Sequence, residues 1–364
     1  FQNNAETRAT GGLPGAWSVL DIDDGRITIR RQGAGSAVRG SSPVAQLSPV
    51  DRAAFGENLV TDLRDSNLTP DFPRAGRLQQ RLMARYAGER VDGVIALDPV
   101  TLGYLLKGLG PVSVGPFTLT PNNAVDVLLN QVYIRYDQPA QQDAFFSAVT
   151  RTIFSRLSSG RFDAAELVKA MTRSAQEGRL LVWTSDAAVQ RRLEQTPVAG
   201  KLPTAASKPA IGVYLNDATR AKMEYYLDTS FSAKALRCTA AGGQTYRVTM
   251  RFDSRAALDA SELPPYVRGT GFAPRGTILL NIDVVGTPGG TSPVIEYEGQ
   301  RTEVQPQTIG GRPTSRVAIV IRPGKTVTLT AMLASAPGQD GPTLFSTTPT
   351  VRSGIVPGRI ASVC

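Results

Sequence analysis

The chain has 364 residues, 41% hydrophobic and 20% charged, with a net charge of +9 from 40 basic and 31 acidic side chains. That length allows two domains with separate cores, and the composition is that of an ordinary globular protein. There is no histidine, which excludes a Ser-His-Asp triad, a Cys-His pair and histidine-ligated zinc.

The first segment, FQNNAETRATGG, is rich in hydrogen-bonding side chains. Phe1 reads as the tail of a strand that begins upstream, so a leader or anchor is expected before it. WSVLDI, DDG and RITIR then predict a hairpin turned by Asp24-Gly25. Residues 32–50 read as loop. LTPDFPRAG leads into a short helix, RLQQRLMARY, with Leu78, Leu82 and Tyr86 on one face. VDGVIAL reads as a buried strand. Asp98 then caps a helix with Pro99 at its first position, and Gly110-Pro111 stops it. VSVGPFTL is extended, and Thr120-Pro121 opens the next helix by the same device. Helices are expected over 139–158, 163–177 and 186–194, with a strand in RLLVWT between the last two. This alternation argues an α/β domain.

The pattern changes in TPVAGKLPTAASKPA, which reads as a linker. Beyond it, short strands punctuated by turn residues predict an antiparallel all-β sandwich. The expected division is an α/β domain over 1–203 and a β-sandwich over 204–364. No apolar run reaches the ~18 residues that a spanning helix needs. Cys238 and Cys364 are the only cysteines. They suit a single disulfide in an oxidising compartment, the alternative being two unrelated free thiols.

Only seven of the basic residues are lysine. Arginine's planar fork suits phosphate and carboxylate, so an anionic partner is one reading of the excess. The arginine-rich surface of a GC-rich genome is the other. The basic residues are scattered and not interleaved with aromatics, which argues against nucleic acid.

Three groups of residues could carry chemistry. Glu6 and Arg8, two apart on an extended segment, share a face. Asn3 and Asn4 add donors and acceptors, and Gly11-Gly12 lets backbone approach a ligand. The set would hold a phosphate, or a metal–phosphate pair through Glu6. Equally, Glu6 would pin Arg8 while the asparagines satisfy the loop backbone. Asp71 with Arg74 forms the second group, for which an Asx-turn is the plain alternative. Arg135, ending a helix in YIRYD, is the third, and an arginine there also suits the helix dipole. The common nucleotide, hydrolase and metalloprotease motifs are absent.

Taken together, FQNNAETRATGG, LTPDFPRAG, VDGVIALDPVTLGYLLKGLGPVSV, LTPNNAVDVLLNQVY, LNDATRAKMEYYL and LPPYVRGTG resemble domain-of-unknown-function family 4012, which is common in actinobacteria. The resemblance implies an N-terminal transmembrane anchor with the remainder on the extracellular face of the cell membrane. That family in turn resembles, distantly, the LytR-CpsA-Psr phosphotransferases. These move glycopolymers from a polyprenyl-pyrophosphate lipid onto peptidoglycan, with Mg²⁺ and arginines on the pyrophosphate. The resemblance implies a LytR-CpsA-Psr-like α/β domain, with Arg8 on the first loop and Arg135 where relatives keep an Arg-x-Arg pair. Arg8, Arg135 and Glu6 would then be catalytic, and Asn3, Asn4, Asp71 and Arg74 would bind ligand. Two features depart from the pattern. RITIRR is not followed by the relatives' serine-isoleucine-proline-arginine-aspartate segment, and QPAQQD replaces the acidic and arginine residues expected after Arg135. The expectation is an envelope protein that handles lipid-linked or wall glycopolymer as a phosphotransferase. The alternatives are a glycan- or protein-binding module without catalysis, or a structural partner in a surface assembly.

Overall fold

The computed structural model describes residues 1–205, 209–269, 273–353 and 358–364. Residues 206–208 of the linker-like stretch, and Thr270 and Gly271 of LPPYVRGTG, lie outside the described residues. The chain forms two compact units. One comprises Phe1–Ala5, Gly11–Gln46 and Glu57–Gly200, the other Glu6–Thr10, Leu47–Gly56 and Lys201–Cys364.

In chain order, strands β1 (Gln2–Arg8) and β2 (Gly11–Pro14) pair, as do β3 (Ala16–Asp23) and β4 (Arg26–Ala34). The predicted turn between β3 and β4 is made by Asp24 and Gly25, at φ 44° and 80°, the left-handed pair that a tight hairpin demands. Helix α1 (Pro49–Phe55) precedes α2 (Phe72–Leu82), which Asp71 caps. The predicted end of that helix is instead a π turn over Met83–Ala87, closed by Gly88. Strand β5 (Gly93–Ala96) leads to α3 (Pro99–Leu109), with Asp98 as its cap. VSVGPFTL folds into a hairpin, β6 (Val112–Val114) and β7 (Phe117–Leu119). The helix expected from Thr120 is broken into α4 (Ala124–Asp126), a π turn and α5 (Val132–Arg135). Helices α6 (Pro139–Ser158) and α7 (Ala164–Gln176), strand β8 (Leu181–Thr184) and α8 (Ala187–Leu193) complete the α/β region.

Among the described residues, the strands of this region pair only two by two. β5 pairs with β8 alone, and its Ile95 is 52% exposed. The uninterrupted apolar run in VDGVIAL suggested burial on both faces, but the strand is covered on one. Val94 and Ala96 register with Trp183 and Leu181, and the last three join Phe72 and Ala75 in a buried cluster that Val94 packs against. A second cluster of Val19, Val38, Leu63, Leu82 and Met83 fixes the base of the β3–β4 hairpin. Burying each such side chain contributes about 1.5–3 kcal/mol.

The second unit is a β-sandwich. Its strands are β9 (Ala210–Asp217), β10 (Leu227–Cys238), β11 (Gln244–Ser254), β12 (Ile278–Val285), β13 (Val294–Tyr297), β14 (Gln300–Arg301), β15 (Gln305–Ile309), β16 (Arg312–Ile321), β17 (Thr326–Ala334), β18 (Thr343–Thr347), β19 (Arg352–Ser353) and β20 (Gly358–Ile360). A four-residue helix, α9 (Pro265–Arg268), lies between β11 and β12. One sheet has the order β14-β13-β17-β11-β10-β19 and the other β15-β16-β12-β9-β18-β20. Tyr246, Val248, Met250 and Phe252 of β11 point inward and are wholly buried, while Arg247 and Arg251 between them are exposed, the period-two signature of a half-buried strand. Cys238 and Cys364 form the expected disulfide, with their Cα atoms 5.0 Å apart.

Candidate functional site

The opening polar segment is a strand, not a loop. β1 is buried along its whole length, so each of its polar side chains must find a partner inside the protein. Glu6 and Arg8 point to one face and pair at 3.0 Å. Lys222 donates to the other Glu6 oxygen. The side chains of all three are no more than 6% exposed. Burial raises the Glu6 pKa, but Lys222 and Arg8 outweigh it and hold the carboxyl below its usual value. Burial likewise opposes the Lys222 charge, and Glu6 more than restores it. Lys222 also stands 5.3 Å from the centre of the Tyr266 ring. The strand's continuation is held in the same unit: the Ala9 amide donates to Asn216 at 2.9 Å, and its carbonyl accepts from Thr348 at 2.8 Å.

Both Glu6 oxygens therefore face cations. The arrangement does not fit Mg²⁺, which would stand against two ammonium- or guanidinium-type charges and lacks a free carboxylate oxygen here. Among the described residues no group of three or more Asp, Glu or Cys is placed to hold a metal ion. Gly11 and Gly12 also have a structural use. A Cβ on Gly12 would lie 2.2 Å from the Asn3 backbone, and Gly11 has φ +137°. The glycines admit the close return of the chain rather than a ligand.

The two asparagines face a different cluster, in the first unit. Asn3 donates to the Tyr133 hydroxyl, and Asn4 to Asp98 at 2.8 Å. Asp98 also accepts from the Thr101 amide, as a helix cap, and from Arg179, both at 2.7 Å. Arg179 and Arg173 each reach Glu177 at 2.7 Å. The Tyr104 hydroxyl bonds Glu177 at 3.0 Å, and the Arg173 guanidinium lies 4.1 Å from the Tyr104 ring centre. Burial first, then the Glu177 charge, pushes the Tyr104 pKa up to about 12. Burial also opposes the Glu177 charge, but the two arginines hold its carboxyl below the usual range.

Asp71 caps α2: the Arg74 amide donates to the Asp71 carboxylate at 3.1 Å, the turn expected as the plain alternative. Arg135 is exposed at the last position of α5. Of the seven candidates, Glu6 and Arg8 come together, and they fall in the second unit. Asn3, Asn4, Asp71, Arg74 and Arg135 belong to the first.

Sequence reasoning did not find Lys222, Arg179, Glu177 or Glu224. Lys222 lies 216 positions from its partner, and no periodicity reports a contact across that distance. Glu224 sits in a short 3₁₀ turn and is 1% exposed. Among the described residues no cation stands against its carboxylate; its side-chain hydrogen-bond neighbour is a second carboxylate, Asp217. Burial, then the nearby Asp217, pushes its pKa well above the usual carboxylate range. Asp217 itself is spent on a turn, accepting from the Thr219 and Arg220 amides.

No curated protein matches the sequence. Among solved structures, one described as a "putative nutrient binding protein" from Legionella pneumophila is similar at 8% identity and a TM-score of 0.22. The match covers 39% of this chain and 56% of that one, and a likeness so distant carries no argument. Residues 1–133 match the model of a family described as "Protein of unknown function (DUF4012)".

Proposed function

We propose that this chain is an extracellular, envelope-associated module that binds wall glycopolymer without turning it over, with the β-sandwich as its recognition domain. The observation that carries this reading is the buried Glu6–Arg8–Lys222 cluster. The acid and the arginine that phosphoryl chemistry would use are consumed by each other and by Lys222. A transfer site needs charges aimed at the ligand, where negative charge develops. Here they are aimed inward. The two departures from the LytR-CpsA-Psr pattern agree with a fold that has lost its transfer chemistry. The Cys238–Cys364 disulfide supports an oxidising compartment.

The reading predicts binding without turnover. Calorimetry against a panel of neutral and acidic wall-glycan fragments should give affinity for at least one. A pyrophosphate-linked lipid analogue, incubated with the protein and a peptidoglycan acceptor, should remain intact with and without Mg²⁺. Release of the lipid phosphate would restore the phosphotransferase reading. Failure of every glycan to bind would sink the glycan part of the proposal.

A further inference from the structure

The two sheets of the sandwich treat their outer faces differently. On the sheet containing β9 and β12, outward side chains such as Asn216 and Asp283 are buried, and Arg316, paired with Asp283, donates to the Ala54 carbonyl and lies 5.8 Å from the Phe55 ring centre. On the sheet containing β10, β11 and β17, the outward side chains of the central strands are exposed or half-buried.

Cross-strand register places residues on that open face. Lys234 of β10 stands directly opposite Arg247 of β11. Arg237, after the irregularity in β10, stands opposite Thr245 on the same side. All three cations are exposed, and among the described residues none has an ion pair. Their neighbours behave otherwise: Arg251 pairs with Asp253 at 2.6 Å, and Asp228 with Arg255. Like charges directly opposite one another destabilise a sheet. Lys234 and Arg247, with Cβ atoms about 5 Å apart by ordinary sheet geometry, therefore hold an unfavourable pair that an anion between them would relieve.

What surrounds the cations narrows the anion. The next row is of hydroxyls, Ser232 opposite Thr249, which is opposite Thr330, and it ends on Glu296 of β13; the row beyond it holds Arg251, which Asp253 pairs. Hydroxyl side chains both donate and accept, as the hydroxyls of a sugar do. No aromatic ring stands on the outward positions of β10, β11 and β17, so unpaired nucleic-acid bases find nothing to stack on. The large apolar side chains beside the cations are Met332, half-buried opposite Arg247, and Leu236 at the irregularity in β10, too few to enter a bilayer as a surface helix does.

We infer that the exposed face of β10, β11 and β17 is a docking surface for an acidic polysaccharide, whose anionic groups sit on Lys234, Arg247 and Arg237 and whose hydroxyls meet the Ser/Thr row. This rests on the glycan-binding reading above and adds to it the charge of the ligand and the place where it binds.

The test uses polygalacturonate as probe, with neutral dextran, phosphatidylglycerol vesicles and a duplex oligonucleotide as comparisons. Wild type should bind polygalacturonate, more weakly as salt is raised, and should prefer it to all three comparisons. The Lys234→Ser, Arg247→Ser double variant should lose roughly a hundredfold in affinity, about tenfold for each charged contact. Its melting temperature should be unchanged or higher, because the opposed cations are gone. Equal binding by the double variant, or no binding of polygalacturonate by wild type, overturns the inference. So does equal or tighter binding to vesicles or oligonucleotide, which would make the occupant a membrane or a nucleic acid. If wild type still binds a glycan from the wider panel in those cases, the function proposed above survives and only this face is lost. If it binds no glycan at all, both fail.

Discussion

The two units each bury a charged cluster against residues of the first strand, and the clusters are built differently. Around Asp98, acids and donors are matched one to another, and the chain of contacts reaches solvent through Arg173, which is 56% exposed. Around Glu6, three charges are almost wholly enclosed, and Glu224 nearby faces a second carboxylate, Asp217, in place of a cation. The first cluster can lose a charge and redistribute. The second cannot, because both cations share one carboxylate. A buried pair broken from one side leaves an uncompensated charge, which is far more costly than the pair is stabilising.

The largest expected effect follows from that difference. Glu6→Gln should destabilise the second unit by about 3–5 kcal/mol, the range for breaking a buried pair. Asp98→Asn should cost the first unit only about 1–2 kcal/mol, since Arg179 keeps Glu177 and the amide oxygen can still cap α3. Urea unfolding with hydrogen exchange reads both. Equal losses would show that the clusters are equivalent after all. Neither substitution should be rescued by added pyrophosphate.

The disulfide sharpens the same comparison. It closes a segment of 126 residues within the second unit, and the first unit has no counterpart. Replacing both cysteines with serine should cost about 2–5 kcal/mol. Reductant should act alike on wild type. Hydrogen exchange should locate the loss in the sandwich and leave the protection of the Thr101 amide at the α3 cap as it was. Loss of protection at both places would mean that the units do not respond separately.

Much of the fold was legible because it rests on local chemistry. Asp98-Pro99 starts α3 where a cap and a proline say it should, and α6 runs over the expected 139–158, where its apolar residues repeat at helical spacing. Asp24-Gly25 turns its hairpin, and the alternation in QTYRVTMRF is the inward and outward face of β11. Boundaries slipped where the backbone widened into π turns, after Leu82 and after Asp126, since no residue type forces that change. The polar cluster at the N-terminus was legible as a set of hydrogen-bonding groups, and the Glu6–Arg8 pin was one of its two readings. Its direction was not legible. Whether Glu6 faces a ligand or Lys222 depends on a residue 216 positions away. For the same reason the open face of the sandwich could not be read as a face. Lys234 and Arg247 are ordinary surface residues until register sets them opposite each other.

The smallest expected effect separates the two buried glutamates of the second unit, and it is a matter of sign. The Glu6 pKa is lowered in the folded protein by Lys222 and Arg8, against the opposing effect of burial. Its contribution is present above the unfolded value, near 4.5, and is lost as pH falls through the folded value. The Glu224 pKa is raised, first by burial and then by Asp217. The folded state then holds a proton that the unfolded state releases, so stability declines as pH rises from about 4.5 toward the folded value. Glu224→Gln removes that titration at nearly constant shape. At pH 4 it should match wild type or fall slightly below it, because an amide is no better satisfied there than a protonated carboxyl. At pH 8 it should be the more stable protein, by on the order of 1 kcal/mol, the scale of one mismatched buried polar group. The melting temperature of wild type should therefore fall relative to the variant across that interval, while the acid-side loss due to Glu6 is common to both. A constant difference between the two proteins from pH 4 to pH 8 would mean that Glu224 is ionised and paired, and that the Glu6 cluster is as well matched as the one around Asp98.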